Sequence, residues 1–164
     1  MRADRYQWVS KSPEKTRQAG EALAAYLKTG DCIPLIGDMG TGKTTFVQGV
    51  ARGLKIPHEQ PVTSPSFTIV NRYFGSSKLF HIDLYRLDGQ TSLDDLEIEE
   101  VLTEGGIVFI EWPQRILPLI PNIALTIIFT WNMEEETLRT LMFESIEPRF
   151  SEFFERLDHA DSWD

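Results

Sequence analysis

Apolar side chains recur at helical spacing soon after the N-terminus, where Ala19, Leu23, Tyr26 and Leu27 fall on one face. The segment opens with Ser12-Pro13-Glu14: a capping hydroxyl, a proline suited to the first helical position and an acid for the first turn. Together these predict a helix over residues 13–28 that packs on a sheet, with Gly30 just past its end. The spacing then changes. Cys32-Ile33-Pro34-Leu35-Ile36 is a continuous apolar run entering a glycine-rich turn, as a buried strand does, and Pro34 marks either its first residues or an irregular spot. Phe46, Val47, Val50 and Leu54 restore the helical period over residues 42–54, with Gly53 weakening the last turn.

A proline-punctuated link over residues 55–65 leads into two β-rich runs, Phe67-Thr68-Ile69-Val70 and Leu79-Phe80-His81-Ile82-Asp83. Phe74-Gly75-Ser76-Ser77 lies between them, so the pair reads as a hairpin. The acidic residues 93–102 look helical, Ile107-Val108-Phe109-Ile110 is a buried strand, and residues 123–131 form another that pairs with residues 137–143. Phe150, Phe153, Phe154 and Leu157 predict a docked helix over residues 149–157, followed by a frayed acidic tail over residues 158–164. Helices interleaved with apolar strands imply an α/β sheet with an antiparallel portion, in one domain covering residues 1–157.

Between the first strand and the second helix stands Gly37-Asp38-Met39-Gly40-Thr41-Gly42-Lys43-Thr44, which matches the phosphate-loop pattern at every fixed position. Glycines let backbone N–H groups converge on phosphate oxygens, and the following helix turns its positive end to the same anion. Lys43 supplies a mobile charge for β and γ phosphates, and the Thr44 hydroxyl is placed to ligate Mg2+. Thr45 either touches the α-phosphate or begins the helix surface. The fold expected is therefore a P-loop NTPase-like three-layer sandwich, its mixed sheet combining a parallel core with antiparallel hairpins, and the ligand expected is ATP with Mg2+.

Such a site needs carboxylates at strand ends facing the loop, because Mg2+ takes hard oxygen ligands. Glu111 follows the run Ile107-Val108-Phe109-Ile110 in the form of a Walker B strand, and Asp83 closes Phe80-His81-Ile82; the alternative for each is an exposed acid at a strand end. Thr63-Ser64-Pro65-Ser66-Phe67-Thr68 suits a loop near the γ-phosphate or an ordinary turn, and Trp112 covers the nucleotide or belongs to the core. His81 is read as a hydrogen-bonded histidine in an apolar strand, with positioning of a water as its other role. Arg72, Arg86 and Arg115 are candidate phosphate or partner contacts.

Composition narrows the class. With 164 residues and 41% apolar content the chain suits one hydrophobic core. No stretch approaches the roughly 18 apolar residues of a membrane helix, and no apolar signal core follows Met1, so no membrane contact and a cytoplasmic location are expected. Cys32, the single cysteine, is read as a small core side chain. Sixteen basic residues against 25 acidic ones leave a net charge of -9, which opposes autonomous binding to nucleic-acid phosphates.

Four blocks taken together are similar to a known family: Gly37-Asp38-Met39-Gly40-Thr41-Gly42-Lys43-Thr44-Thr45, Ser64-Pro65-Ser66-Phe67-Thr68-Ile69-Val70-Asn71, His81-Ile82-Asp83-Leu84-Tyr85-Arg86-Leu87 and Ile110-Glu111-Trp112-Pro113. Their order and spacing resemble the bacterial TsaE (YjeE) proteins, the ATPase subunit of the tRNA threonylcarbamoyladenosine machinery. The resemblance implies a partner pair, TsaB and TsaD, and ATP hydrolysis that sustains threonylcarbamoyl transfer to an adenosine beside the anticodon, with tRNA met only through the complex. It further implies that Thr44 and Glu111 hold Mg2+, that Asp83 supports the metal or the attacking water, that Lys43 serves the phosphates, that residues 64–68 act as a switch and that Trp112 lies near the nucleotide. Met39 and Thr41 stand where leucine and alanine are more usual, both at variable positions of the loop. Past Leu117 the resemblance fades.

Other readings of a phosphate loop are a small-molecule kinase, a GTP-dependent switch and a nonenzymatic nucleotide sensor. A kinase calls for an Arg-rich lid and a GTP switch for an Asn-Lys-x-Asp segment; neither is present in the sequence. A sensor differs only in whether the phosphate bond is cleaved.

Overall fold

The computed structural model of the chain describes residues 2–87 and 97–163. Among these residues, seven strands form one mixed sheet: β1 (Asp4–Ser10), β2 (Cys32–Ile36), β3 (Val70–Phe74), β4 (Lys78–Asp83), β5 (Ile107–Glu111), β6 (Thr126–Trp131) and β7 (Arg139–Ser145). Their order across the sheet is β1-β7-β6-β2-β5-β4-β3. β6, β2, β5 and β4 run parallel as the buried centre, while β3 pairs antiparallel with β4, β7 with β6, and β1 with β7. Helices α1 (Pro13–Ala24), α2 (Lys43–Gly53) and α4 (Ser151–Asp158) share one core with Ile33, Leu35, Ile107 and Phe109. Helix α3 (Ile98–Thr103) packs through Ile98 and Val101 on the opposite face, against Phe80, Ile82, Val108 and Ile110. Helices on both faces of the sheet make the three-layer α/β architecture expected of the sequence.

Local chemistry sets the element ends. The Ser12 side chain accepts from the Lys15 backbone N–H at 3.1 Å, and Pro13 occupies the first helical position of α1. This helix stops at Ala24 rather than at residue 28, although Tyr26 and Leu27 still pack on the core. Pro34 lies in mid-strand. The Cys32 N–H donates toward the β6 side, to the Asn122 carbonyl at 3.2 Å, so two residues on the proline's missing donor faces that same side. There the ladder breaks: from the bridge Cys32–Ile123 to the pair Leu35–Ile127, β2 advances three residues and its neighbour four. The extra residue is a bulge that absorbs the lost hydrogen bond, which makes Pro34 the irregular spot rather than a strand start.

Three further expectations are corrected, and one strand is added. The first strand of the hairpin begins at Val70, not Phe67, because Ile69 is left-handed at φ 67 and Phe67 stands in solvent. The strand before the second hairpin starts at Thr126 instead of residue 123. Strand β1 escaped the sequence reading altogether: its inward positions are Tyr6 and Trp8, only partly buried, and its register is set by β7, distant in sequence. Residues 158–163 do not fray. Ala160 is buried, Trp163 packs on the core, Lys15 Nζ donates to the carbonyls of Ala160 (2.9 Å) and Trp163 (2.7 Å), and Tyr6 donates to Asp158. Of the helix expected over residues 93–102, residues 93–96 lie outside the described residues.

A buried ion pair fastens the C-terminal segment to the entry of β2. The Arg149 guanidinium donates through both terminal nitrogens to Asp31, at 2.7 and 2.8 Å, to the Tyr26 carbonyl at 2.9 Å and to Glu147 at 2.6 Å. Its side chain is 16% exposed and that of Asp31 4%. Arg149→Leu strands the Asp31 carboxylate without its counter-ion, and a loss of about 3 kcal/mol in denaturant unfolding is expected. The double variant Asp31→Asn, Arg149→Leu should recover most of that loss; a double variant as unstable as the single one rules out the ion pair as the cause.

Candidate functional site

The parallel strands β2, β5 and β4 end at one edge of the sheet, with Leu35, Glu111 and Asp83 in register across it. From Ile36 the chain turns through residues 37–42 into α2. Gly42 caps that helix at φ 105 and brings no side chain, so the positive end of α2 stays open to an anion. A Cβ on Gly37 would stand 2.6 Å from the Phe129 carbonyl and 2.9 Å from Thr41 Oγ1, so only glycine lets the loop press against β6. Thr41 is buried and donates its hydroxyl to the Asp38 carbonyl at 2.7 Å. Lys43 Nζ donates to the carbonyls of Gly37 and Asp38 and sits 5.2 Å above the Trp112 ring. Gly37, Asp38 and Thr41 thus build the underside of the loop, while Met39, Gly40, Gly42, Lys43, Thr44 and Thr45 line a cleft of about 410 Å³.

Across the cleft stand Ser64, Ser66, Asp83, Tyr85, Arg86, Glu111 and Trp112. Asp83 Oδ1 accepts from the Tyr85 backbone N–H at 2.9 Å and Oδ2 from the Ser64 hydroxyl at 3.4 Å. Burial pushes the Asp83 carboxyl above its ordinary pKa; the Tyr85 N–H opposes that shift and the neighbouring Glu111 charge adds to it. Lys43 is pulled below its ordinary value by burial, against the upward pull of Glu111, Asp83 and Asp38. Two buried carboxylates side by side, with a hydroxyl at Thr44, make a hard-oxygen donor set of the size Mg2+ accepts when it keeps several waters. The residues present fit that ion, and the like charges of Asp83 and Glu111 give it an electrostatic reason to sit there.

Of the sequence candidates, Lys43, Thr44, Thr45, Asp83, Glu111 and Trp112 come together in this one cleft, and the structure adds contacts that spacing does not disclose. His81 meets Glu111, Tyr85 lies against Trp112 with ring centroids 5.0 Å apart, and the Arg86 guanidinium covers the Phe67 ring at 4.0 Å. Of the three candidate arginines Arg86 lines the cleft, whereas Arg72 pairs with Glu97 at 3.4 Å. Trp112 takes a left-handed backbone at φ 56 immediately after Glu111, which turns the chain out of β5 and sets the indole on the cleft wall. No helix among the described residues is long and apolar enough to cross a membrane.

Residues 10–140 match the family described as threonylcarbamoyl adenosine biosynthesis protein TsaE. The tRNA threonylcarbamoyladenosine biosynthesis protein TsaE of Bacillus subtilis is 34% identical over 156 residues, covering 94% of this chain and 95% of that one. The protein of the same name from Nostoc is 42% identical over 125 residues, 74% of this chain and 75% of the relative. The crystal structure of Bacillus subtilis YdiB superposes with a TM-score of 0.72 at 30% identity and covers 99% of both chains. The fold agrees with the solved structure over nearly the whole of both chains, and the chain belongs to the TsaE family of tRNA threonylcarbamoyladenosine biosynthesis.

Proposed function

We propose that this chain is the Mg-ATP-hydrolysing subunit of that biosynthesis and works on the TsaB and TsaD pair, reaching tRNA only through them and acting in the cytoplasm. One observation carries the reading: a glycine-rich turn between β2 and α2, with Lys43 inside it, faces the paired carboxylates of Asp83 and Glu111 across a single cleft. Triphosphate oxygens would take the open end of α2 and the Lys43 ammonium, which exchanges loop carbonyls for phosphate. Thr44, Glu111 and Asp83 would hold the ion. When bound, Mg2+ would supply positive charge to offset the negative charge that redistributes during phosphoryl transfer. Asp83, held by Ser64 and the Tyr85 N–H, would orient the ion or the attacking water, with Trp112 and Tyr85 on that side of the cleft.

In this reading Lys43 serves the triphosphate, and Arg86, the other cation among the described residues lining the cleft, stacks on the Phe67 ring. The chain alone is therefore expected to be a slow ATPase, and charge stabilisation from a partner should accelerate it. Titration calorimetry with Mg-ATP should give saturable one-to-one binding. Steady-state phosphate release should then rise by about tenfold or more, roughly 1.4 kcal/mol of barrier, when TsaB and TsaD are added. Failure of the folded chain to bind Mg-ATP refutes the site; equal turnover with and without the pair refutes the partnership.

A further inference from the structure

Strand β4 is apolar and fully buried at Leu79, Phe80 and Ile82, yet His81 stands among them with no exposed surface. A leucine or valine there would fill the space without polar cost. Strand alternation puts Leu79, His81 and Asp83 on the face of β4 toward α2, and Ile107, Phe109 and Glu111 on the same face of β5. His81 pairs with Phe109 and Asp83 with Glu111, so the imidazole lies one diagonal step behind Glu111. Its Nε2 is 2.9 Å from Glu111 Oε2. A carboxylate only accepts, so Nε2 carries the hydrogen and donates. The other ring nitrogen, Nδ1, is buried with no hydrogen-bond partner.

An unpartnered buried polar atom costs on the order of 1–3 kcal/mol, which an apolar residue at this position would avoid. The contact with Glu111 is the compensating gain. The two acids of the cleft are held differently: Asp83 by a backbone N–H and a hydroxyl, Glu111 by His81. Glutamate has a longer and freer side chain than aspartate, so it has more need of an outside anchor. With Oε2 occupied by the imidazole, Oε1 is the oxygen left for the cleft.

We propose that His81 is a positioning residue that fixes the Glu111 carboxylate so that its second oxygen faces the ion, a role that rests on the Mg-ATP reading of this cleft. Outer partners of ligating side chains are commonly worth 10–100-fold in metal affinity or activity. His81→Leu is accordingly expected to raise the Mg2+ concentration at half-saturation of the protein–ADP complex by about 10–100-fold, read by titration calorimetry. ADP affinity in EDTA should stay at the wild-type value, and in hydrolysis kcat should fall more than KM changes. His81→Gln, whose amide nitrogen reaches about as far as Nε2, should restore Mg2+ affinity. His81→Asn, with its amide nearer the position of Nδ1, should not, and this Gln-against-Asn comparison carries the test if the leucine variant does not fold. Wild-type Mg2+ affinity in His81→Leu, or equal loss in the Gln and Asn variants, overturns the role of His81 while leaving the nucleotide site standing. Absence of Mg2+-dependent nucleotide binding in the wild-type chain overturns both.

Discussion

Lys43→Ala is expected to lower affinity for Mg-ATP by roughly 100-fold while leaving the fold intact. The ammonium is almost fully enclosed and its contacts are the carbonyls of Gly37 and Asp38 together with the face of Trp112. A charge-assisted hydrogen bond contributes about 1.5–3 kcal/mol, and each 1.4 kcal/mol is a factor of about ten in affinity, so the upper part of that range applies to an ion exchanging neutral carbonyls for phosphate. Folding responds differently. Burial already pulls the lysine below its ordinary pKa, which means that the protein environment disfavours the charge that the substitution removes. Thermal unfolding of the free protein should therefore change little, and the stabilisation that Mg-ATP confers should be smaller in the variant than in the wild type by up to about 2.7 kcal/mol. Calorimetric titration and a melting curve, run with and without Mg-ATP, separate the two effects. A variant that melts normally and still binds within about threefold of wild type, less than 1 kcal/mol, would show that the phosphates sit elsewhere.

The features legible in the sequence are those written in local pattern. The phosphate loop is a contiguous string, α1 carries its own cap in Ser12, and Glu111 ends an apolar run whose burial needs no partner to be read. The features that stayed hidden depend on pairing over long separations. β1 is a strand because β7 lies beside it, and its Tyr6 and Trp8 are too few and too polar in surroundings to announce a period. The run Phe67-Thr68-Ile69 has β-rich composition, yet Ile69 bends the chain at positive φ and the Phe67 ring stays largely in solvent, meeting the Arg86 guanidinium instead of a neighbouring strand. The His81–Glu111 contact follows from a register between β4 and β5 that neither segment encodes alone. Tail docking, likewise, is decided by Lys15 on α1 and Tyr6 on β1, so an acidic composition that suggests fraying is overridden by partners from the other end of the chain.

Gly49→Ala is expected to be the most damaging alanine substitution among the described glycines, costing about 3 kcal/mol or more and lowering the melting temperature by roughly 6–12 °C. In a helix, alanine for glycine normally stabilises by about 1 kcal/mol, so the prediction reverses the propensity rule and has to rest on contact. Here α1 and α2 meet backbone to backbone. A Cβ on Gly49 would lie 1.9 Å from the Arg17 carbonyl oxygen and 2.8 Å from its Cα, and one on Gly20 would lie 2.2 Å from the Phe46 carbonyl oxygen. No flexible side chain stands at those distances to move aside. Gly53, which by composition only weakens the last turn of α2, completes the same seam, where its Cβ would come within 2.5 Å of Ala24 Cβ. Forcing the helices apart shifts α2, whose first turn carries Lys43 and Thr44, so Mg-ATP affinity should fall along with stability. Gly30→Ala is the control. Gly30 sits at φ 96 with open space around it, and alanine there should cost only the backbone strain of about 1–2 kcal/mol. Chemical denaturation of the two variants side by side decides the matter: equal losses would mean that the helix contact contributes nothing beyond backbone preference, whereas a Gly49 loss at least twice that of Gly30, with impaired nucleotide binding only in the former, ties the position of the phosphate loop to the close approach of the two helices.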